Sequence, residues 1–315
     1  MLCKLPAAPP KVLGRGCPRP GVRAHILASV TFSIVGRAEG GDQVGVAVAS
    51  KFLAAGALVP AVEVGTGALA TQAYSNLSYR NDGLELLRSG RSADEVVALL
   101  TSADEGRELR QLGVVGRTGE GATFTGTECM PWAGGRAGDG YAVQGNILAG
   151  EAVVAEMERA WLARSARPLA WRLLETLEAG DAAGGDRRGR QSAGLIVAVR
   201  GAGYGGSNIA VDLRVDDHPA PVGELRRLLG LHDFYFAKPD LASLVSLEGE
   251  LLDEVSARLA SLGFRPEGAG TKGVEDALTS WASMENLEMR YTGGPSIDPL
   301  VLGFLREKSA DREHR

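Results

Sequence analysis

Apolar and polar residues alternate along the first part of the chain in the way that is typical of β-strands. Residues 31–36 alternate, the sequence Glu-Gly-Gly-Asp at 39–42 is suited to a turn, and a second, apolar strand is expected at 43–49. A third extended stretch, rich in Gly, Val and Ala, covers residues 62–73. Further strands are predicted at 111–116, 121–125, 141–145, 193–199 and 209–215. This part of the chain is therefore expected to be rich in hairpin-connected sheet.

Apolar residues at helical spacing occur in pairs of segments between these strands. Residues 83–103 contain two such patterns, and the second is opened by Ser92 with Glu95 three positions later, which is a capping box. Residues 151–179 contain two more, separated by an Arg-Pro step. Because strands and helices come in pairs, we expect an α+β fold in which helices cover antiparallel sheets. A four-layer sandwich of helix, sheet, sheet and helix (αββα) fits this order.

The composition changes after residue 232. Residues 234–239 are expected to form a linker or docking strip, and a long amphipathic helix is predicted at 241–262. Two shorter helices are predicted near 273–289 and 298–308, on either side of a Gly-Gly-Pro break. The predicted parts of the chain are an extension (1–30), a main domain (31–232) and a linker with a small helical domain (233–315).

Composition and charge exclude several classes of protein. Hydrophobic residues make up 44% of the 315 residues and charged residues 23%, which excludes a disordered or fibrous chain. The apolar runs are only of strand length, so no segment that crosses a membrane is expected. The formal net charge of -5 argues against nucleic-acid binding. Three cysteines provide neither a disulfide framework nor metal-ligand spacing, and we expect a soluble, cytoplasmic protein without metal or cofactor.

The first thirty residues differ from the rest of the chain. They contain five prolines and five Lys or Arg residues but no acidic residue. The prolines interrupt both the apolar run of a secretory signal and the amphipathic helix of a transit peptide. Two explanations remain, namely a start assigned too early, with Val30 as the true initiation codon, and a removable propeptide. Both make Thr31 a candidate N-terminal residue of the mature protein.

Thr31 is the sharpest candidate for a catalytic residue. An N-terminal threonine supplies a hydroxyl nucleophile and, through its own α-amine, a general base. The ordinary pKa of an α-amine, about 7.7–8.0, lies close to the pH at which a base is useful. Threonine is also a common strand residue, and that simpler explanation stays open.

Lys51 ends the second predicted strand, where a hairpin would bring it near the start of the first strand. A fixed ammonium there would keep a neighbouring amine neutral and lower the pKa of the hydroxyl. The alternative is a lysine at a strand end whose ammonium reaches solvent. Ser50, directly before Lys51, is expected to contact substrate.

Polar residues at two other strand ends complete the candidate site. Asn146 follows a strand within the sequence Gln-Gly-Asn-Ile-Leu, and its amide is suited to an oxyanion hole. An ordinary Asn turn before a helix explains it equally well. Gln72 and Asn76 follow the third extended stretch and are expected to line a substrate pocket.

The loop at 184–192 is rich in glycine and arginine. Asp186 is a candidate for orienting the amine of the nucleophile, and Ser192 is a candidate proton relay. Arg187 and Arg190 are suited to gripping an anionic substrate. A solvated charged loop is the alternative for all four residues.

Three further motifs are set aside. Residues 201–206 match the dinucleotide-binding pattern G-x-G-x-x-G, but they lie between two strands and are expected to form a hairpin loop. The Asp-Asp-His-Pro sequence at 216–219 is better explained as a helix start than as a metal site. Cys129 has no histidine nearby in the sequence and is expected to be buried.

Several of these segments together resemble the DUF1028 family. The resemblance covers about residues 31–232 and is carried by the segments at 31–35, 45–52, 70–73, 144–148, 184–192 and 215–219. It implies membership of the N-terminal nucleophile (Ntn) hydrolase superfamily and hence its αββα sandwich. It also implies Thr31 as the nucleophile and Lys51 as the basic residue that tunes it, without naming a substrate.

The C-terminal part resembles a peptidoglycan-binding domain that often follows DUF1028. The resemblance rests on Trp281 and on the segments 285–288 and 297–302. We therefore expect an amide-bond hydrolase acting on a small-molecule or peptide amide, with peptidoglycan fragments as a candidate ligand of residues 233–315. The alternative is a non-catalytic binding protein, of a kind sometimes labelled as fimbrial, that acts through this C-terminal part. Neither membrane nor nucleic acid is expected as a partner, and assembly into a homo-oligomer stays open.

Overall fold

The computed structural model describes residues 31–267 and 270–313 of the chain. These residues form a mixed α/β structure with a helical C-terminal region, as the pattern of apolar residues predicts. The predicted extension at 1–30 lies outside the described residues. Within them, no helix is long and apolar enough to cross a membrane.

The strands before residue 232 form antiparallel sheets. They are β1 (Thr31–Arg37), β2 (Gln43–Ser50), β3 (Pro60–Glu63), β4 (Gly67–Ala73), β5 (Arg110–Gly116), β6 (Ala122–Thr125), β7 (Gly134–Gly138), β8 (Tyr141–Gly145), β9 (Ser192–Val199) and β10 (Ile209–Val215). In the described part of the chain, one sheet has the strand order β10-β9-β2-β1-β8-β7 and the other has the order β3-β4-β5-β6.

Most strand predictions are confirmed, but the third extended stretch is not a single strand. It consists of β3 and β4, which pair with each other across a tight turn. Gly65 in that turn has a left-handed φ of 74°, which favours glycine and lets the chain reverse. Strand β7 was missed because its Gly-Gly-Arg-Ala-Gly sequence has no apolar alternation.

The helices of this part are α1 (Ala55–Leu58), α2 (Ser78–Arg88), α3 (Ala93–Ser102), α4 (Ala152–Leu162), α5 (Leu169–Ala182) and α6 (Pro221–Phe236). The predicted capping box opens α3, where Ser92 Oγ accepts from Glu95 N and the Glu95 carboxylate accepts from Ser92 N. Helix α1 is one turn long, and no periodic pattern predicts a helix so short.

The two sheets face each other, and helices cover their outer faces. Strands β1, β5 and β8 bring the sheets into contact. Helices α2 and α3 pack on the sheet that contains β4, whereas α4, α5 and α6 pack on the sheet that contains β1. Because side chains alternate along each strand, one face of β1 lies between the sheets and the other lies against α5.

The C-terminal region has a hydrophobic core of its own around Trp281. Its elements are β11 (Val245–Ser246), α7 (Gly249–Leu262), α8 (Thr271–Met284), β12 (Ser296–Ile297) and α9 (Pro299–Glu313). Helix α7 begins eight residues later than predicted, because residues 241–248 form a short 3₁₀ turn and a strand instead. Residues 234–236, predicted as linker, are the last turn of α6.

Candidate functional site

The layer between the two sheets is apolar at one end and polar at the other. Val35, Val46, Ala70 and Val115 belong to the apolar part. At the opposite end the positions facing the other sheet are polar, and each of these residues is at most 2% exposed: Thr31, Ser33, Ser50, Gln72, Gln111, Gln144, Asn146 and Ser192. Burying so many polar groups is unfavourable unless they are hydrogen-bonded. We therefore expect a hydrogen-bond network at this end of the layer.

Gln72 connects the strands of both sheets. Its Nε2 donates to the carbonyl oxygen of Thr31 at 3.0 Å and to Gln111 Oε1 at 2.7 Å. Its Oε1 accepts a hydrogen bond from Ser33 Oγ at 2.6 Å. Gln72 thus ties β4 to the first and third residues of β1, and it holds the backbone of Thr31 in place.

Gln111 and Asn146 extend this network to β8. Gln111 Nε2 donates to Gly145 O at 2.8 Å, and Asn146 Nδ2 donates to Gln111 Oε1 at 3.0 Å. Gln144 Nε2 donates to Ser33 Oγ at 2.7 Å. Among the described residues, Gln144 Oε1 is the atom of this network that lacks a partner. The network therefore fixes the ends of β1, β4 and β8 relative to one another.

Thr31 lies where this network meets a cavity. Its Oγ1 is 3.2 Å from Ser50 Oγ, and its carbonyl oxygen accepts from Asn146 N at 3.1 Å. Thr31 and Ser50 are cross-strand partners, so the pairing of β1 with β2 brings the two hydroxyl groups together. The cavity has a volume of about 440 Å³, and Thr31, Phe52, Val59 and Tyr74 are among the residues that line it.

Three left-handed residues that are not glycine follow the strands around Thr31. They are Ala54 at φ 54°, Ala73 at φ 64° and Ile147 at φ 47°. This conformation is unfavourable for residues with a Cβ atom, most of all for a β-branched one, and it concentrates at functional sites. Each of the three lies where the chain leaves a strand at the end that borders the site.

Asn146 is part of the site, but its donors are engaged. Its backbone N–H and one amide hydrogen make the bonds to Thr31 O and Gln111 Oε1 given above. The distance from Nδ2 to Thr31 O is 3.5 Å, longer than an ordinary hydrogen bond. Asn146 therefore positions Thr31 and keeps one loosely held amide hydrogen near it.

Lys51 is close to Thr31 along the backbone, but its side chain is exposed. Its Nζ makes no hydrogen bond or ion pair with the residues that the structure describes. Its backbone N–H donates to Asp186 Oδ2 at 2.6 Å. Among the described residues, the Lys51 ammonium is therefore not hydrogen-bonded to Thr31.

Asp186, Arg187 and Arg190 of the 184–192 loop line a second cavity. Asp186 is buried and accepts from the backbone of Lys51 and Arg188, so it holds the end of β2 and makes no hydrogen bond to Thr31. Arg187 and Arg190 line this cavity of about 240 Å³ together with Ser50 and Phe32, and the side chain of Phe32 lies on the face of β1 that packs against helices. The arginines do not share the cavity of Thr31.

Ser192 and Asn76 support the site from a distance. Ser192 Oγ donates to Phe52 O at 2.6 Å and accepts from Ala55 N at 3.0 Å, which fixes the turn that enters α1. Asn76 Nδ2 donates to Asp104 Oδ2 at 3.1 Å, and Asn76 lines a different cavity on the side of α2 and α3. Neither side chain hydrogen-bonds to Thr31, so the predicted roles as relay and substrate ligand are not supported by contacts.

The motifs that were set aside have structural explanations. Residues 204–206 form a 3₁₀ turn between β9 and β10. His218 Nδ1 accepts from Ala220 N just before α6, and no group of three or more metal-ligating side chains occurs in the described ranges. Cys129 is only partly buried, whereas the sequence predicted a buried residue, and desolvation raises the pKa of its thiol to about 11.

Sequence reasoning missed Ser33, Gln111 and Gln144, as well as Arg110 at the cavity. The signal was present, because Ser33 lies two residues from Thr31 and Gln144 two residues from Asn146, on the same face of their strands. A polar residue within an apolar strand usually faces solvent, and only the stacking of the second sheet shows that these do not.

Comparison with known proteins identifies the family. A family model described as "Family of unknown function (DUF1028)" matches residues 31–225, and one described as "Putative peptidoglycan binding domain" matches residues 235–305. No curated protein matches the chain. The solved structure of protein SPO2555 from Silicibacter pomeroyi, itself described as DUF1028, is similar at a TM-score of 0.59 and 28% sequence identity, covering 72% of this chain and 93% of that one. The chain therefore belongs to the DUF1028 family.

Proposed function

We propose that this protein is an amide-bond hydrolase of the N-terminal nucleophile type, with Thr31 as its nucleophile. The observation that carries the proposal is the placement of Thr31, the first residue of a central strand, between a buried polar network and a cavity. The order of helices, sheets and helices around it supports an αββα sandwich of the Ntn hydrolase type.

In the proposed reaction the α-amine of Thr31 removes the proton from Oγ1 while Oγ1 attacks the amide carbonyl carbon. The loosely held amide hydrogen of Asn146 is the proposed donor to the resulting oxyanion. The C–N bond then breaks, and the amine passes its proton to the leaving nitrogen. Water attacks the Thr31 ester by the same route in reverse, which releases the acid and restores Oγ1–H.

The remaining predicted residues act on this reaction through their positions. Ser50 is the hydrogen-bond neighbour of Oγ1, and Gln72 holds the carbonyl of Thr31. Lys51 follows Ser50 and is proposed to favour the neutral amine by its charge. Arg187 and Arg190 receive no role at the reacting atoms, because neither lines the cavity of Thr31.

The reaction requires a free amine on Thr31, and this requirement sets the test. The chain is produced with a single Met before Thr31, and the mass of the intact protein shows whether that Met has been removed. Amide hydrolysis is expected for this form and for Thr31→Ser, but not for Thr31→Ala. A form that keeps one alanine before Thr31 retains the hydroxyl, blocks the base and is expected to be inactive. Hydrolysis by folded Thr31→Ala would overturn the proposal.

A second candidate function is peptidoglycan binding by the C-terminal region. The match of residues 235–305 to a peptidoglycan-binding model favours it, and the separate core around Trp281 is compatible with it. Sedimentation of the full chain and of Thr31→Ala with purified peptidoglycan tests this function independently of catalysis. Equal sedimentation of both forms with the polymer is expected, and no sedimentation would exclude it.

A further inference from the structure

The cavity beside Thr31 is lined mainly by apolar residues. We propose that it holds an uncharged apolar side chain on the acyl side of the scissile bond. The substrates would then be amides of large aliphatic or aromatic acyl or aminoacyl groups. This inference rests on the proposed function, since it names the substrate class of the same site.

The lining of the cavity is mainly apolar. Phe52, Ala55, Leu58, Val59 and Leu77 supply carbon surface around Thr31. Leu58 is 36% exposed and Leu77 is 48% exposed, so large apolar side chains stay in contact with solvent at this cavity. Covering such surface with an apolar group is favourable, because it removes apolar area from water.

Arg110, the one cation among the described residues of the lining, is already neutralised. Arg110 Nε donates to Asp104 Oδ2 at 2.9 Å, and its Nη1 donates to Tyr74 O at 2.6 Å. Both side chains of the pair are largely buried, at 20% and 12% exposed. An acidic substrate group would have to compete with Asp104 for Arg110, and a basic group would meet no carboxylate among the lining residues that the structure describes. Bringing either charge into the cavity would therefore cost desolvation without a compensating partner.

The walls are held in place before any substrate binds. Asp104 also accepts from Tyr79 Oη at 2.9 Å and from Gly106 N at 2.8 Å, which ties α2 and the start of β5 together. Ser192 fixes the opposite wall at Ala55. A rigid cavity of about 440 Å³ lies within the usual range for small-molecule sites and selects by shape as well as polarity.

The acyl side is assigned because of the reaction. After the leaving amine departs, only the acyl group stays bonded to Oγ1, and it must be kept in place while water attacks. The cavity is lined by Thr31 itself, so it is placed to hold this group.

The test compares amides that share one leaving group. The chain beginning at Thr31 is assayed with the p-nitroanilides of leucine, phenylalanine, aspartate and lysine. We expect kcat/KM for the two apolar substrates to exceed that for the two charged ones by at least about tenfold, the lower end of apolar pocket discrimination.

Two variants, with one control, change the charge at the walls of the cavity. Leu77→Asp places a carboxylate at the N-cap position of α2, where it is compatible with folding, and is expected to raise the ratio of lysine to leucine hydrolysis. Leu162→Asp is the matched control on exposed surface at the end of α4 and is expected to leave the ratio unchanged. Asp104→Asn frees the charge of Arg110 and is expected to raise the ratio of aspartate to leucine hydrolysis.

A binding measurement separates this inference from the proposed function. The N-acetyl amides of leucine and aspartate are titrated into Thr31→Ala, which keeps the cavity but lacks the nucleophile. Hydrolysis that prefers charged substrates overturns the inference and leaves the hydrolase in place. Selective binding of the leucine compound without any hydrolysis by the Thr31 form supports the apolar cavity and overturns the hydrolase. Absence of both hydrolysis and selective binding overturns both proposals.

Discussion

Gln72 links the buried polar network to the backbone of Thr31. Replacing it by leucine keeps a similar volume but removes the acceptor of the Ser33 hydroxyl and one of the donors to Thr31 O and Gln111 Oε1. We expect Gln72→Leu to lower the free energy of unfolding by about 1–3 kcal/mol, because the buried Ser33 hydroxyl loses its acceptor. Thr31 O and Gln111 Oε1 keep donors from Asn146. Urea denaturation measures the loss.

A matched substitution separates this effect from a general cost of leucine in a strand. Gln43, the first residue of β2, is only half-buried, and its side chain makes no hydrogen bond with the described residues. Gln43→Leu is expected to change stability little. A double variant, Gln72→Leu with Ser33→Ala, should lose less than the sum of the two single losses, because the two side chains share one bond. Strict additivity would contradict the coupling.

The residues of the site could be predicted from the sequence only where they stand at strand ends. Thr31, Ser50, Gln72 and Asn146 were identified in this way, and the structure places them within one network. Asn76 follows the same strand as Gln72 but turns toward Asp104. The direction of such a side chain depends on the loop after the strand, and sequence periodicity carries no information about it.

At the scale of elements, α7 and α9 are joined by Glu254. Hydrogen bonds from Arg306 on α9 and Arg258 on α7 lower the pKa of the Glu254 carboxyl to about 2. This pKa lies below the ordinary value of about 4.3 for a glutamate. The ionised Glu254 with its two arginines therefore stabilises the folded state above about pH 4.3, and this stabilisation is lost as the pH falls toward 2.

This linkage predicts how a neutral variant behaves. We expect Glu254→Gln to lower the unfolding temperature of the C-terminal region at pH 7, and the difference from wild type to vanish as the pH approaches 2. Thermal unfolding between pH 2 and 7 measures it. Glu250→Gln on the same helix removes a carboxylate that has no ion pair with the described residues, and it should give little difference at any pH. A constant difference for Glu254→Gln down to pH 2 would contradict the linkage.

Element predictions succeeded where a pattern repeats and failed where it is short. The capping box of α3 and the alternation in β1 and β2 each occupy enough residues to be distinctive. Helix α1 has four residues and β11 has two, so neither contains a full period of any pattern. These short elements are formed by tertiary contacts, such as the bond from Ala55 N to Ser192 Oγ.

At the scale of the whole molecule, the stacking of the two sheets is what the sequence could not reveal. Paired strands and helices predict sheets covered by helices, and the observed contacts are of that kind. Which residues of β1 face β4 follows only from the relative placement of the sheets. That placement brings polar residues from several strands together around Thr31.

The junction between the main part and the C-terminal region depends on a buried ion pair. Arg290 Nη1 binds Asp298 Oδ2 at 2.6 Å, and both side chains are less than a tenth exposed. Arg290 Nε and Nη2 donate to the carbonyl oxygens of Phe234 and Asp233 in the last turn of α6. Asp298 Oδ1 accepts from Leu300 N at the start of α9. The pair thus supplies a positive charge to one helix end and a negative charge to the other, as both helix dipoles require.

Removing the arginine should uncouple the two parts of the molecule. Arg290→Met leaves the Asp298 carboxylate buried without its partner, which costs about 3–5 kcal/mol in comparable pairs. We expect the C-terminal region to unfold in a separate transition at lower temperature, seen by calorimetry, while hydrolysis at Thr31 persists between the two transitions. Arg227→Met, which breaks an exposed pair with Glu224 on α6, is the control and should leave a single profile close to wild type. If Arg290→Met unfolds together with the rest at the wild-type temperature, the junction is held by its apolar contacts alone.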